Sequence, residues 1–234
     1  MTPILLIAAN FVRENRWPLI TLLAYVAVFG GAMALVGDAS ADDTVFFLRS
    51  VGVYGLAFTG LMAASAINNE RRSRRVLAVL SKGIERSQYL TGLLLGVMLN
   101  AAIYCAAVGA IGTLALTRHG QSVAHLAELV GVLLASFLLA GTAALFFSTF
   151  LHPLMAAAAA GITLATLGAA GAMLGPPWTQ VLPAYTLTEA MISFGLAAWR
   201  PPLIAAAWAV VHALVFWMLA TIVFARRDIA VAVE

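Results

Sequence analysis

The sequence predicts an all-α integral membrane protein with six transmembrane helices. Hydrophobic residues make up 63% of its 234 residues and charged residues only 10%, a balance outside the range of soluble globular domains. The mean hydropathy is +0.99. The net charge of +3 does not indicate nucleic-acid binding. In a membrane protein, an excess of basic residues is explained by cytoplasmic loops that face anionic lipid.

Apolar runs separated by charges, proline or glycine define the six helices. A helix needs about 20 apolar residues to cross a bilayer. Six runs meet this requirement, at residues 18–37, 45–68, 88–117, 123–150, 154–175 and 201–225. No Asp, Glu, Lys or Arg occurs between Glu128 and Glu189, and this uncharged stretch is too long for a single crossing. We place a tight turn between them at "FLHP", residues 150–153, because proline is typical of a helix boundary.

Residues 1–16, ahead of the first span, predict an amphipathic helix that lies in the membrane interface. Pro3 suits the first helical position. At 100° per residue, the apolar side chains gather on one side of the helix: Ile4, Leu5, Ile7, Ala8, Phe11 and Val12. Asn10, Arg13 and Glu14 lie towards the other side, as in interfacial helices.

The distribution of basic residues predicts that both termini are cytoplasmic. With the N-terminus inside, cytoplasmic segments hold ten of the thirteen Lys and Arg residues: Arg13, Arg16, Arg71, Arg72, Arg74, Arg75, Lys82, Arg86, Arg226 and Arg227. The other side holds Arg49, Arg118 and Arg200, an asymmetry that follows the positive-inside rule. We expect Arg49 to extend outward, towards Asp42 or Asp43.

Between the fifth and sixth spans lie residues 176–200, of which Tyr185 to Trp199 are too apolar for a water-exposed loop and too short to cross the membrane. We predict two short helices that are partly inserted. Glu189 lies within them, and a carboxylate at membrane depth is a candidate for the transport path. The alternative is that Thr186 or Thr188 caps a short helix with Glu189 in its first turn.

Small residues and tryptophans predict how the helices are placed. The small-xxx-small spacing that lets membrane helices approach closely occurs three times: Gly92 and Gly96, Gly168 and Ala172, and Gly171 and Gly175. We interpret it as ordinary packing. Four tryptophans fall near predicted interfaces, where we expect them to anchor the spans: Trp17, Trp178, Trp199 and Trp217.

Between the second and third spans, residues 69–87 form a basic and amphipathic loop. On a helical wheel, one side gathers Arg71, Arg75, Lys82 and Arg86, whereas the opposite side gathers Val76, Leu77, Leu80 and Ile84. Three interpretations are open. The loop is a topology signal that binds anionic headgroups, a helix that docks into a soluble subunit, or a calmodulin-like or lipid sensor.

Three stretches resemble the ABC-2 family of membrane permeases, which have the type V ABC exporter architecture. "ANFVRENRWPLI" is similar to the family's amphipathic first helix, "GIERSQYLTGLLLG" to the end of its first cytoplasmic loop, and "FARRDI" to the end of its last span. The resemblance implies that residues 69–87 are a coupling loop seated in an ATPase subunit. It implies the following docking residues: Glu70, Arg71, Arg72, Arg74, Arg75, Val76, Leu80, Ile84 and Arg86.

This resemblance predicts a multi-pass permease subunit of an ATP-driven exporter in a bacterial-type cytoplasmic (inner) membrane. The chain lacks a phosphate-binding P-loop, which needs a Gly-Lys pair, because its only lysine, Lys82, follows Ser81. We therefore expect ATP and Mg²⁺ to bind a separate ABC ATPase. A second permease chain, identical or homologous, and membrane lipid are the other expected partners.

A different class of function is also open, in which the chain is a non-transporting membrane scaffold or assembly factor. Its basic loop would then recruit a soluble partner without ATP-driven movement. We predict no catalytic, cofactor-binding or metal-binding residues, because the four histidines are dispersed and Cys105 is the only cysteine. No nucleophile is grouped with a base. The sequence therefore favours a transporter subunit over an enzyme.

Overall fold

The computed structural model describes residues 3–35, 40–72, 84–196 and 199–226. In these ranges the regular structure is helical, without strands. The helices are α1 (Pro3–Glu14), α2 (Arg16–Leu35), α3 (Ala41–Arg72), α4 (Arg86–Arg118), α5 (Ala124–Ser148), α6 (Pro153–Leu174), α7 (Trp178–Val181), α8 (Pro183–Ile192) and α9 (Leu203–Arg226).

Six of these helices are long and apolar enough to cross a membrane: α2, α3, α4, α5, α6 and α9. This confirms the predicted all-α fold with six membrane-spanning helices. α1 precedes the first span, and α7 and α8 lie between the fifth and the sixth. Pro153 begins α6, immediately after the turn at residues 149–152.

The second span, α3, is longer than the predicted run of residues 45–68. A reciprocal capping arrangement begins it, because the Ser40 N–H and hydroxyl donate to the Asp43 carboxylate at 2.8 and 2.7 Å. The Asp43 N–H donates back to the Ser40 hydroxyl at 3.2 Å. Such a box satisfies amide groups that have no partner inside a helix, and acidic residues are favourable in the first turn.

α5 is the central helix of the bundle and packs against α3, α4, α6, α8 and α9. Its side chains Leu133, Phe137 and Ala144 are fully buried.

Tyr104 of α4 donates its hydroxyl to the Val51 carbonyl of α3 at 2.6 Å. Both rings, Tyr104 and Phe137, press on Gly55 of α3, where a Cβ would lie 2.6 Å from Phe137. Glycine is required here because the aromatic pair fills the space a side chain would need.

α1 lies along α4 with its Ala8 and Phe11 side chains buried. The two glycines of the predicted small-residue pair, Gly92 and Gly96, form the surface that receives it. A Cβ on Gly92 would lie 2.8 Å from Ile7, and one on Gly96 would lie 2.8 Å from Phe11. This small-xxx-small pair therefore seats the N-terminal helix.

Candidate functional site

A large cavity lies between α3, α5, α6 and α8. Its volume is about 1050 Å³. Alanine, glycine and leucine dominate its wall, with Gly60 on α3, Ala140 on α5 and Gly161 on α6. Tyr185 and Thr188 of α8 complete it. The cavity is therefore built from three membrane-spanning helices and one short helix.

The wall of this cavity offers no charge, since none of the described residues lining it is ionisable except the Tyr185 phenol. Its serine and threonine hydroxyls already donate within their own helices. Ser136 donates to the Val132 carbonyl and Thr188 to the Ala184 carbonyl, each at 2.8 Å. Because an unpaired polar group is costly to bury, such a wall favours apolar groups of a ligand.

α8 forms one wall of the cavity because α6 lets it come close. A Cβ on Gly168 would lie 3.1 Å from the Tyr185 nitrogen, and one on Gly171 would lie 3.2 Å from the Leu182 Cβ. The backbone of α8 therefore rests against the glycine face of α6, so the predicted small residues of the fifth span support the short helices. Thr186 secures α8 to α7 by donating its hydroxyl to the Thr179 carbonyl at 2.6 Å.

Glu189 lies on the opposite face of α8 from the large cavity. It is exposed and lines a second pocket of about 560 Å³, to which Arg200 and Trp199 also contribute. The predicted threonine cap is wrong, because α8 begins at Pro183, so Thr188 and Glu189 stand in its second half. The helix begins earlier than predicted because proline suits the first turn of a helix, and Pro183 occupies that position.

Arg49 does not reach towards Asp42 or Asp43, and this expectation is wrong. Its guanidinium donates through Nε and Nη2 to the main-chain carbonyl of Phe194, at 2.8 and 2.5 Å. Asp43 is engaged by Ser40 instead. The Arg49 side chain is half-buried. This position favours a nearby main-chain acceptor over an extended side chain that reaches the start of α3.

Trp199 is buried, with 7% of its surface exposed, so its predicted role as an interface anchor is wrong. Its indole N–H donates to the Ala190 carbonyl at 3.0 Å, and its ring meets the buried Phe194 ring edge-on at 5.2 Å. The His125 ring also meets the Trp199 ring edge-on, with centroids 6.2 Å apart, and His125 Nδ1 lies 2.9 Å from the Glu128 carboxylate. By contrast, Trp17 and Trp178 are exposed.

At the other end of the bundle, Arg86 joins the start of α4 to the end of α9. Its Nη1 donates to the carbonyls of Phe224 and Ala225 at 2.9 and 2.7 Å. The last carbonyls of a helix lack intrahelical donors and carry partial negative charge, so a cation is favourable there. Tyr89 supports the junction by stacking on Phe224, with ring centroids 6.1 Å apart. Both rings are fully buried.

The predicted docking residues are only partly within the described structure. Glu70, Arg71 and Arg72 belong to the last turn of α3, whereas four others lie outside the described residues: Arg74, Arg75, Val76 and Leu80. Ile84 is half-buried just ahead of α4. Docking onto an ATPase therefore stays a prediction.

Sequence reasoning missed both arginine contacts because their acceptors are main-chain oxygens, which no side-chain pattern reveals. One general signal was present, since the C-terminal end of a helix attracts a cation. Arg49 is 145 residues from its acceptor, and Arg86 is 138 and 139 residues from its two. Only the packing of the helices selects these partners.

Fold and cavity together define a multi-pass integral membrane protein with a site suited to apolar groups. The family model described as ABC-2 family transporter protein matches residues 38–222. The match covers well over half of the chain, and the protein belongs to the ABC-2 transporter family. It is thus the membrane permease component of an ABC transporter, and permeases of this family generally partner with an ABC ATPase. None of the curated proteins compared with the chain matches it.

Proposed function

We propose that this chain is the membrane-spanning subunit of an ATP-driven exporter that moves an apolar or amphiphilic substrate outward. The observation that carries the proposal is the uncharged cavity of about 1050 Å³ among the spans of an ABC-2 transporter protein. Its size is at the upper end of small-molecule sites, roughly 300–1,000 Å³. Its wall accepts hydrocarbon more readily than an ion or a sugar, because it offers no charge to replace water.

The energy for transport would come from a separate ABC ATPase, which binds ATP and Mg²⁺. Residues 69–87 would receive this subunit, through the docking residues from Glu70 to Arg86 named above. The Arg86 contact supports this coupling role, because this residue near the end of the loop is hydrogen-bonded to the end of α9. Movement of the loop would therefore reach the last span as well as α3 and α4.

Glu189 would act on the outer side of the transport path. Its exposed carboxylate lines the second pocket, beside Arg200, on the helix whose other face forms the wall of the large cavity. Substrate leaving the cavity past α8 would next meet this second pocket, whose wall is more polar than that of the cavity. A polar surface suits release, because it stabilises water rather than hydrocarbon.

Orientation and assembly follow the same proposal. Both termini and residues 69–87 would be cytoplasmic, α1 would lie in the interface, and α7 and α8 would be partly inserted from the outer side of a bacterial-type cytoplasmic membrane. α6 exposes large apolar side chains, among them Leu154 and Met173, at 70% and 88%. These would contact lipid or a second permease chain, identical or homologous.

A first experiment tests the ATPase partner. The tagged chain is purified from its native membranes in mild detergent, and co-purifying proteins are identified by mass spectrometry. We expect an ABC ATPase with the unchanged chain and its loss when Arg71, Arg72, Arg74 and Arg75 become Gln. A matched control changes four basic residues outside the loop, also to Gln: Arg13, Arg16, Arg226 and Arg227. Failure to recover an ATPase under several mild conditions would favour the scaffold.

A second experiment tests the cavity. Gly60→Leu and Gly161→Leu add side chains to the cavity wall where a Cβ meets no atom within 4 Å. Labelling of the purified chain by a photoactivatable fatty-acid probe should fall at least about fivefold, because the added leucines occupy the volume. Gly131→Leu on α5 is the matched control, since it has equal room and does not line the cavity. Equal labelling of all variants would contradict an apolar site.

A transport assay distinguishes an ATP-driven exporter from a non-transporting scaffold. Complexes in proteoliposomes are compared with complexes whose ATPase lacks its P-loop lysine. An exporter loses outward movement of a fluorescent short-chain lipid with the inactive ATPase, whereas a scaffold keeps its cellular role. Retention of that role without ATP hydrolysis would remove the exporter function.

A further inference from the structure

Arg49 differs from the two other arginines assigned to the same side of the membrane. Arg118 and Arg200 are exposed, as expected for residues that only set topology. Arg49 is half-buried near the start of α3 and donates through two nitrogens to one main-chain oxygen, that of Phe194. A topology signal needs no such partner, so this contact requires another explanation.

The acceptor lies just past the C-terminal end of α8. Carbonyls at a helix end lack intrahelical donors and carry partial negative charge. The Ala190 carbonyl, in the last turn of α8, receives the Trp199 indole N–H at 3.0 Å, and the Phe194 carbonyl, two residues past the helix, receives the Arg49 guanidinium. The Phe194 ring is fully buried against Trp199. This end of α8 is therefore attached by polar bonds and by packing.

The contact joins two walls of the large cavity. α3 lines the cavity from Val53, one turn beyond Arg49, and α8 lines it with residues such as Leu187 and Thr188. Apolar packing continues the junction, since a Cβ on Gly52 would lie 3.9 Å from the Met191 sulfur. These two contacts connect the start of α3 to the end of α8 and the segment just past it.

We propose that Arg49 is a positioning residue that fixes α8 to α3, so that the α8 wall of the cavity moves with the second span during transport. The proposal rests on the proposed exporter function, because it assumes that the loop after α3 is driven by an ATPase. It adds a mechanical link at the end of α3 opposite to that loop. The attachment of α8 can be tested without the transport cycle.

The first arm measures this attachment in the permease alone. Hydrogen–deuterium exchange is compared between the unchanged chain, Arg49→Gln, Arg49→Lys and Arg118→Gln. Amides of residues 186–196 should exchange roughly tenfold faster in Arg49→Gln, as expected when a charge-assisted hydrogen bond to a helix end is lost. Arg49→Lys keeps one charged donor and should give an intermediate rate. Arg118→Gln should leave the rate unchanged.

The second arm measures the movement of the α8 wall. Thr188→Cys is introduced into a Cys105→Ala background, which removes the only native cysteine, and the chain is purified with its ATPase. Alkylation of residue 188 by a small maleimide is followed with and without ATP and vanadate. The nucleotide should change the rate several-fold with Arg49 intact, and this change should be lost in Arg49→Gln and kept in Arg118→Gln.

The exchange measurement tests whether Arg49 attaches α8, and the alkylation measurement tests whether this attachment couples α8 to α3. Unchanged exchange in Arg49→Gln would overturn the attachment and the inference with it. Faster exchange with an undiminished nucleotide response in Arg49→Gln would overturn the coupling and leave Arg49 a stabilising contact. A chain that binds no ATPase, or shows no nucleotide response with Arg49 intact, would refute the proposed function and the coupling. The exchange result would then still decide whether Arg49 attaches α8.

Discussion

The two ends of the bundle hold their helices by the same chemistry applied to different elements. At one end, Arg49 and Phe194 attach the short helix α8 to α3; at the other, Arg86 attaches the end of α9 to the start of α4. Arg49 converges two nitrogens on one oxygen, whereas Arg86 spreads one nitrogen over two successive carbonyls. In both cases a charged side chain donates to main-chain carbonyls, in the last turn of α9 for Arg86 and two residues past α8 for Arg49.

What differs is the element that each arginine secures. α9 is a full span that packs extensively along α5, so Arg86 adds to a large apolar contact. α8 has ten residues and depends more heavily on its end contacts. The comparison teaches that loss of Arg49 should act locally, whereas loss of Arg86 should act on the connection to the loop.

The largest effect should follow removal of the aromatic ring beside each arginine. Phe194→Ala and Phe224→Ala should each lower the free energy of unfolding by about 3–5 kcal/mol, because both rings are fully buried and leave a cavity. Unfolding by SDS in mixed micelles measures this change. Phe46→Ala is the control, since Phe46 is 67% exposed. If a variant loses no more unfolding free energy than the control, the ring that it removes contributes little to packing.

The next effect concerns Arg86. Arg86→Gln should cost about 1.5–3 kcal/mol of unfolding free energy, the usual contribution of hydrogen bonds to a charged group. It should also speed amide exchange in the last turn of α9. Arg86→Lys should recover part of the loss, since a cation near the end of a helix remains favourable. If exchange at the end of α9 is unaltered, the contact does not hold that helix.

A further effect should follow Trp199→Phe, which keeps an aromatic ring against Phe194 but removes the indole donor to Ala190 and part of the buried ring volume. The lost neutral hydrogen bond should cost about 1 kcal/mol, and the lost volume adds to this cost. SDS unfolding measures it against Trp17→Phe, because Trp17 is 66% exposed. A cost equal to that of the control would mean that this bond adds nothing to the attachment of α8.

The smallest expected effect is the interaction free energy between Arg49 at one end of the bundle and Arg86 at the other. In the double variant Arg49→Gln with Arg86→Gln, the two losses of unfolding free energy should add to within about 0.5 kcal/mol, because distant sites without shared partners act independently. The sum is compared with the single variants in the same mixed micelles. A larger deviation would reveal that the ends communicate through the bundle even without nucleotide.

The number and order of the spans could be predicted because hydropathy is a local property of each run. The turn before Pro153 was placed by proline alone, which cannot continue a helix from the residues before it. The start of α3 was placed too late, since the Ser40 and Asp43 box adds a turn that contains polar residues. Apolar length reports the membrane-crossing part of a helix, whereas capping decides where the helix begins.

The candidate site was predictable only in part. Glu189 and the short helices around it were identified from composition, but the cavity itself lies on the other face of α8. Its wall contains alanines and glycines from three spans, which are indistinguishable in sequence from ordinary packing residues. A cavity arises from the relative positions of helices, and no single run of residues encodes them.

The sequence by itself determined an all-helical membrane protein with six spans and a basic loop after the second, and its motifs indicated the ABC-2 family. These properties depend on local composition and order. The tertiary structure alone decided that Arg49 binds the Phe194 carbonyl, that Arg86 binds the end of α9, and that α8 closes a cavity of about 1050 Å³. The physical reason is that main-chain carbonyls are identical in every residue, so only the packing of distant helices selects which of them an arginine meets.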